Sequence, residues 1–257
     1  MSHDLLHVDL EGEEADLDDL MADGLDGSLD ERIPALIELL EHGTPVERYS
    51  AAYLLIAWDV PEALETLIRW AEQSDELPRQ VGNRFTGGDA SFGQLAESLG
   101  SGGKSPRAAD TVRLRVAAGR ALLQLVEDED FERHLSLALG WNDLLRKSLV
   151  DETAAAAERA ISALERGHEP GFDLWTQAAG LLYPLSKELD EDAAAFARRL
   201  IRQGRKDRRM LLELVDALGA GSGPATLEVL RELAGKAKLG DVREAAEAAL
   251  ARRTSVA

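Results

Sequence analysis

From Glu31 onward the apolar positions recur every three or four residues, the spacing of helices that bury one face. Ile33, Leu36, Ile37, Leu39 and Leu40 predict a helix over 31–41, which Gly43 closes. Thr44-Pro45-Val46-Glu47 then supplies an N-cap, a proline at the first helical position and a Glu at the third, and predicts a helix to about Trp58. Pro61 opens another in PEALETLIRWAEQ. Linkers this short force neighbouring helices to pack antiparallel. A short helix near 91–99 and a longer one from Ser105-Pro106 to about Val126 follow. Further helices are predicted at about 130–147, 151–166, 171–187, 191–203, 206–218, 224–236 and 241–253. Nothing in this half alternates with period two, so no sheet is expected.

The last helix, DVREAAEAALARR, has Val242, Ala245, Ala246, Ala249 and Leu250 on one narrow stripe, mostly of small residues that let another helix come close. Asp241 stands as its expected N-cap with Glu244 three residues on. With Arg243 as reference, small residues fall at +2 and +3 and Ala-Leu at +6 and +7. The same offsets from Arg115 reach Ala117, Ala118, Ala121 and Leu122, and those from Arg48 reach Ser50, Ala51, Leu54 and Leu55. Weaker matches start at Ala157 and Ala194. The reference positions lie 67, 42, 37 and 49 residues apart, and removing a Gly-rich insertion of about thirty residues from the first interval leaves about 37.

In DVREAAEAAL and VRLRVAAGRALLQL the chain resembles HEAT-repeat proteins. The resemblance covers about 31–257 and implies an all-α fold, a right-handed α-solenoid of about five helix pairs with the insertion in the second. In that family the Asp and Arg of the motif link neighbouring repeats, and the second helix of each pair lines a concave face that holds a partner. The Arg slot is filled by Ala157 and Ala194 in the middle repeats, and the helix at 206–218 has no evident mate.

Two stretches depart from the repeat. Residues 1–30 hold eleven Asp or Glu and no Lys or Arg, interleaved with Leu5, Leu6, Val8, Leu10, Leu17, Leu20, Met21, Leu25 and Leu29. They read as a weakly structured acidic tail with a short helix near 14–22, either a solubilising arm or a segment that docks on a basic groove. Residues 77–107 carry seven glycines and two prolines and read as a flexible loop insertion.

The net charge of −19 disfavours nucleic acid and anionic membrane as partners and favours a basic protein. The absence of cysteine removes disulfides and thiolate metal sites and fits the cytoplasm. Neither a secretory signal nor a membrane span is expected.

Little in the chain supports catalysis. His3 and His7 have a metal-binding spacing but lie in the acidic start, and His168-Glu169 is the single His-Glu pair where HEAT-type di-iron hydroxylases need several. Ser98 to Ser105 resembles a phosphate loop with Ser98 at its first glycine and no preceding strand. No catalytic set, metal site or cofactor is expected. Arg198, Arg199, Arg202, Arg205, Lys206, Arg208 and Arg209 form a basic patch, open to reading as a solvated face, a dock for acidic segments or a phosphate contact. For partner binding the candidates are Arg48, Tyr53, Trp58, Asp59 and Arg115 on inner-face helices, while Trp70, Trp141 and Trp175 are expected in the core.

The reading that results is a non-enzymatic module that grips a basic protein on a concave, acid-biased face, with the tail and the loop as adjustable lips. An inhibitor or immunity-type protein is the favoured role. The alternative is a nucleic-acid-binding enzyme of the alkylpurine DNA glycosylase type, for which Trp58-Asp59 would be the aromatic and carboxylate pair.

Overall fold

Helices make up the whole architecture of the computed structural model, which describes residues 2–9, 11–78, 91–203 and 207–254. Among these residues the sole β feature is an isolated antiparallel bridge between Val8 and Glu14. Among the described residues no helix is long and apolar enough to cross a membrane. The chain divides into two compact units, Met1–Leu125 and Val126–Ala257.

The first unit runs α1 (Ser2–His7), α2 (Leu17–Asp23), α3 (Ile33–His42), α4 (Pro45–Ala57), α5 (Pro61–Glu72), α6 (Ser91–Ser101) and α7 (Ala108–Gln124). The start of α4 forms as its sequence predicts: Thr44 Oγ1 accepts from the Glu47 amide at 3.4 Å, and Glu47 Oε2 accepts from the Thr44 amide at 2.9 Å. Nine consecutive residues of α4, Tyr49 to Ala57, are buried, because α2, α3, α5 and α6 surround it.

That central placement needs cover from the N-terminal stretch, expected to be weakly structured. Leu6, Leu20 and Leu29 are buried, and Asp16 caps α2 by accepting from the amides of Asp18 and Asp19. Arg32 donates to the carbonyls of Val8 and Asp9, and Arg107 forms a two-pronged pair with Asp30 at 2.7 and 2.8 Å. The predicted loop is likewise partly built in. Phe92, Leu95 and Leu99 of α6 are buried, whereas Gly82, Gly87 and Gly88 lie outside the described residues.

The second unit runs α8 (His134–Trp141), α9 (Asp143–Ser148), α10 (Val150–Glu165), α11 (Leu174–Gly180), α12 (Leu182–Glu188), α13 (Asp190–Arg202), α14 (Arg208–Gly219), α15 (Pro224–Lys236) and α16 (Gly240–Thr254). Two helices predicted as continuous are broken. Asn142 ends α8 and caps α9 by accepting from the Leu145 amide at 3.2 Å. Pro184, which has no N–H to offer the carbonyl of Gly180, sits in the first turn of α12 just after the break.

Toward the end of this unit helices pack on their chain neighbour and on the next but one: α13 with α15, α14 with α16, and α15 with α16. The helix that lacked an evident mate, α14, packs on α11, α12 and α16. The small-residue faces of α13 and α16 are each buried, with α13 packed on α15 and α16 on α14 and α15. Small residues at i, i+3 and i+4 suit such close approach. Asp241 falls inside the first turn of α16, where its carboxylate pairs with Arg208 of α14, while Arg243 donates to the Ala237 carbonyl at the end of α15 at 2.8 Å.

Candidate functional site

The five residues expected to meet a partner are committed inside the first unit. Tyr53, Trp58, Asp59 and Arg115 are 5%, 1%, 0% and 1% exposed, which removes them from any binding surface. α4 ends in a left-handed turn at Asp59, φ +59°, where glycine is usual; the Val60 amide donates to Leu55 and the Asp59 amide to Ile56. This turn points the carboxylate inward. Its Oδ2 accepts from the Gly103 amide at 2.8 Å and the Ser105 hydroxyl at 2.9 Å, and Oδ1 lies 3.0 Å from Arg115 Nε in ion-pair contact. Burial pulls the Arg115 guanidinium down from its ordinary value, and the Asp59 charge opposes that shift.

Trp58 donates from Nε1 to the Met21 carbonyl at 3.1 Å, and the Tyr53 hydroxyl donates to Asp18 at 2.6 Å. Burial first, then Asp18, raises the Tyr53 hydroxyl well above its usual range. Arg48 is half-buried, with Nε on the Leu40 carbonyl at 3.1 Å and its guanidinium 5.9 Å from the Trp70 ring centre. Thus the predicted binding face is the core of this unit, because the N-terminal stretch and α6 cover it.

Three residues of the basic patch are ion-paired within the second unit. Arg198 pairs with Glu228 at 2.9 Å, Arg199 with Glu158 and Glu165 at 2.5 and 2.8 Å, and Arg208 with Asp241. Hydrogen bonds from Arg199 hold Glu158 and Glu165 below their ordinary carboxylate values. Arg202 and Arg209 are exposed, and Arg205 and Lys206 lie outside the described residues. Each of these pairs joins two different helices, so Arg198, Arg199 and Arg208 tie the second unit together.

What the surface does offer is Trp141, 68% exposed at the end of α8. Its indole N–H donates to the Tyr183 hydroxyl at 3.2 Å. Lys187 stands 4.3 Å from the Tyr183 ring centre and donates to the Gly140 carbonyl at 2.9 Å. Arg146 donates to the same carbonyl at 3.1 Å and pairs with Asp143 and Glu188 at 2.8 and 2.7 Å. The indole is thus held in one orientation with its face in solvent, a preorganised aromatic anchor. Sequence reading placed Trp141 in the core. The signal that could have exposed it is Asn142, a helix-starting residue that puts the Trp at a junction where it need not face inward.

The second unit also contains a buried carboxylate that sequence reading did not single out. Glu213 is 7% exposed, with Oε2 2.9 Å from Arg133 Nε and Oε1 without a hydrogen-bond partner. Burial raises its pKa despite Arg133. Among the described residues no group of three or more His, Asp or Glu is arranged to hold a metal ion.

Comparison of the chain with protein-family models, curated proteins and solved structures finds no match.

Proposed function

We propose that this protein is a non-catalytic binding module built of HEAT-like helix pairs, and that it holds a basic protein partner as an inhibitor or immunity-type protein would. The alternation of helix contacts in the second unit, with α13 on α15 and α14 on α16, supports a repeat of paired helices there. The charge of −19 supports a basic partner.

The observation that carries the reading is Trp141. Leaving so large an apolar face in water forgoes burial worth roughly 2 to 3 kcal/mol, which an interface would recover. The surrounding Tyr183, Lys187 and Arg146 keep the ring oriented before any partner arrives. The nucleic-acid alternative loses its residues, since Trp58 and Asp59 are buried and Arg198, Arg199 and Arg208 are ion-paired.

The test is cross-linked co-purification from the native source with wild type and Trp141→Ala, beside gel-shift titration with duplex DNA. The expected result is a basic protein retained by wild type, released at high salt and missing from the variant, with no DNA retardation. Retention unchanged in the variant, or duplex binding with a steep salt dependence, would overturn the proposal.

A further inference from the structure

A second feature of the Val126–Ala257 unit lies between the end of α10 and the start of α11. Here a cleft of about 410 Å³ is lined by Leu164, His168, Glu169, Pro170, Phe172 and Trp175. That volume lies in the lower part of the range of roughly 300 to 1,000 Å³ usual for small-ligand sites.

The loop that forms its wall is fixed at both ends by local chemistry. Gly167 takes φ +82°, the Gly167 amide donates to Leu164 and the His168 amide to Ala163, so α10 closes in a left-handed cap that only glycine adopts without strain. At the other end Asp173 caps α11, accepting from the Thr176 amide at 3.2 Å and its hydroxyl at 2.6 Å. Between them His168 Nε2 lies 3.3 Å from the Glu127 carbonyl, and Pro170 restricts the backbone. The two caps hold the wall of the cleft in place.

Its chemistry selects for a particular group. Phe172, Trp175 and Pro170 offer apolar and π surfaces, and aromatic faces attract cations. Glu169 is exposed and has no ion-pair partner among the described residues. One carboxylate beside aromatic rings is too few oxygens for a hard metal ion, which takes six or more ligands, and it repels anions. It matches a cation that carries its own apolar stem.

We propose that this cleft binds an organic ammonium group, with the stem against Phe172, Pro170 and Leu164 and the charged head between Trp175 and Glu169. Two sources present that chemistry, a lysine side chain displayed on a polypeptide and a free alkylamine. The site is independent of the Trp141 surface.

The experiment follows the Trp175 indole N–H by NMR, assigned with Trp175→Phe, during titration with n-butylammonium chloride and separately with acetyl-Gly-Lys-Gly-amide. The same peptide acetylated at Nζ serves as the uncharged probe. Saturable shifts with both charged probes are expected, with weaker or absent shifts from the acetylated peptide, and Glu169→Gln should weaken binding by about tenfold. Tighter binding of the lysine peptide identifies a displayed side chain as the source, and tighter binding of butylammonium identifies a free amine. Glu169 is exposed, so its replacement leaves the fold intact and the test readable. The absence of saturable shifts, equal binding of the acetylated peptide, or unchanged affinity in Glu169→Gln would each overturn the assignment.

Discussion

Each unit buries an acid against an arginine, and the two pairs are finished differently. In the first, Asp59 meets Arg115, a backbone amide and a hydroxyl. In the second, Glu213 meets Arg133 through Oε2, and its Oε1 has neither an ion-pair contact nor a hydrogen bond, whereas Asp59 Oδ1 lies against Arg115. Arg115 is as deeply buried as Asp59, with side-chain exposures of 2% and 0%, whereas the Arg133 side chain is 42% exposed and also reaches Asp216. A pair buried on both sides holds the structure only while both members stay; a pair with one wet member tolerates loss of the other. The wider charge balance follows the same division. The first unit has 24 acids and 10 bases, the second 24 and 19, and the extra bases form the cross-helix ion pairs.

The comparison breaks most visibly at Asp59. Asn tolerates the left-handed turn, so Asp59→Asn removes the charge but not the backbone preference. It should cost about 3 to 5 kcal/mol in urea unfolding by leaving Arg115 buried and unpaired. Adding Arg115→Met should restore part of that loss, and additive losses would refute the pairing.

In the same unit Leu20→Ala should cost about 2 to 5 kcal/mol, since Leu20 is fully buried among residues once expected to form a tail. A change below about 0.5 kcal/mol would mean that this segment lies loosely on α4. Gly103→Ala comes next, at about 1 to 3 kcal/mol by thermal melting. Its φ is +90° and a Cβ there would sit 2.3 Å from Arg115 Nη1, so strain and displacement of the pair add.

The second unit's pair should respond weakly and with a distinctive pH profile. Glu213→Gln should change stability at pH 7 by less than about 1 kcal/mol, because Arg133 keeps Asp216. Burial raises the Glu213 pKa in the folded state, so its linked stability is fully present below the ordinary value of 4.5 and is lost as pH rises through the higher folded value. Stability of wild type minus variant should therefore fall with rising pH above 4.5, and a flat difference would exclude a raised value. The smallest effect is expected at Trp141→Ala, within about 0.5 kcal/mol in melting, since an exposed ring contributes to binding before it contributes to folding.

The helices were legible where their signals are local. The Thr44-Pro45-Val46-Glu47 start, the Gly43 stop and the helices after Pro61 and Pro224 lie where capping and periodicity place them. In the N-terminal stretch the short helix near 14–22 was legible and α2 occupies Leu17–Asp23, but the burial of its leucines was not, because Gly12, Gly24 and Gly27 break them into pieces too short to show a stripe. Their burial is supplied by α4, some thirty residues downstream. The candidate site failed for a related reason. Trp58, Asp59 and Arg115 have the composition of a binding hot spot, and the same composition serves a buried strut once a neighbouring segment covers it. The basic patch looked free because its acids lie 30 to 41 residues away in the chain.

The sequence by itself determined an all-helical chain, most of its helix boundaries and its acidic charge, since each depends on residues within about one turn or on composition alone. The tertiary structure decided which polar side chains are buried, which arginines are neutralised and which tryptophan faces water. Those outcomes depend on pairings between segments far apart in the chain, and a helical periodicity records that a face is covered without recording what covers it.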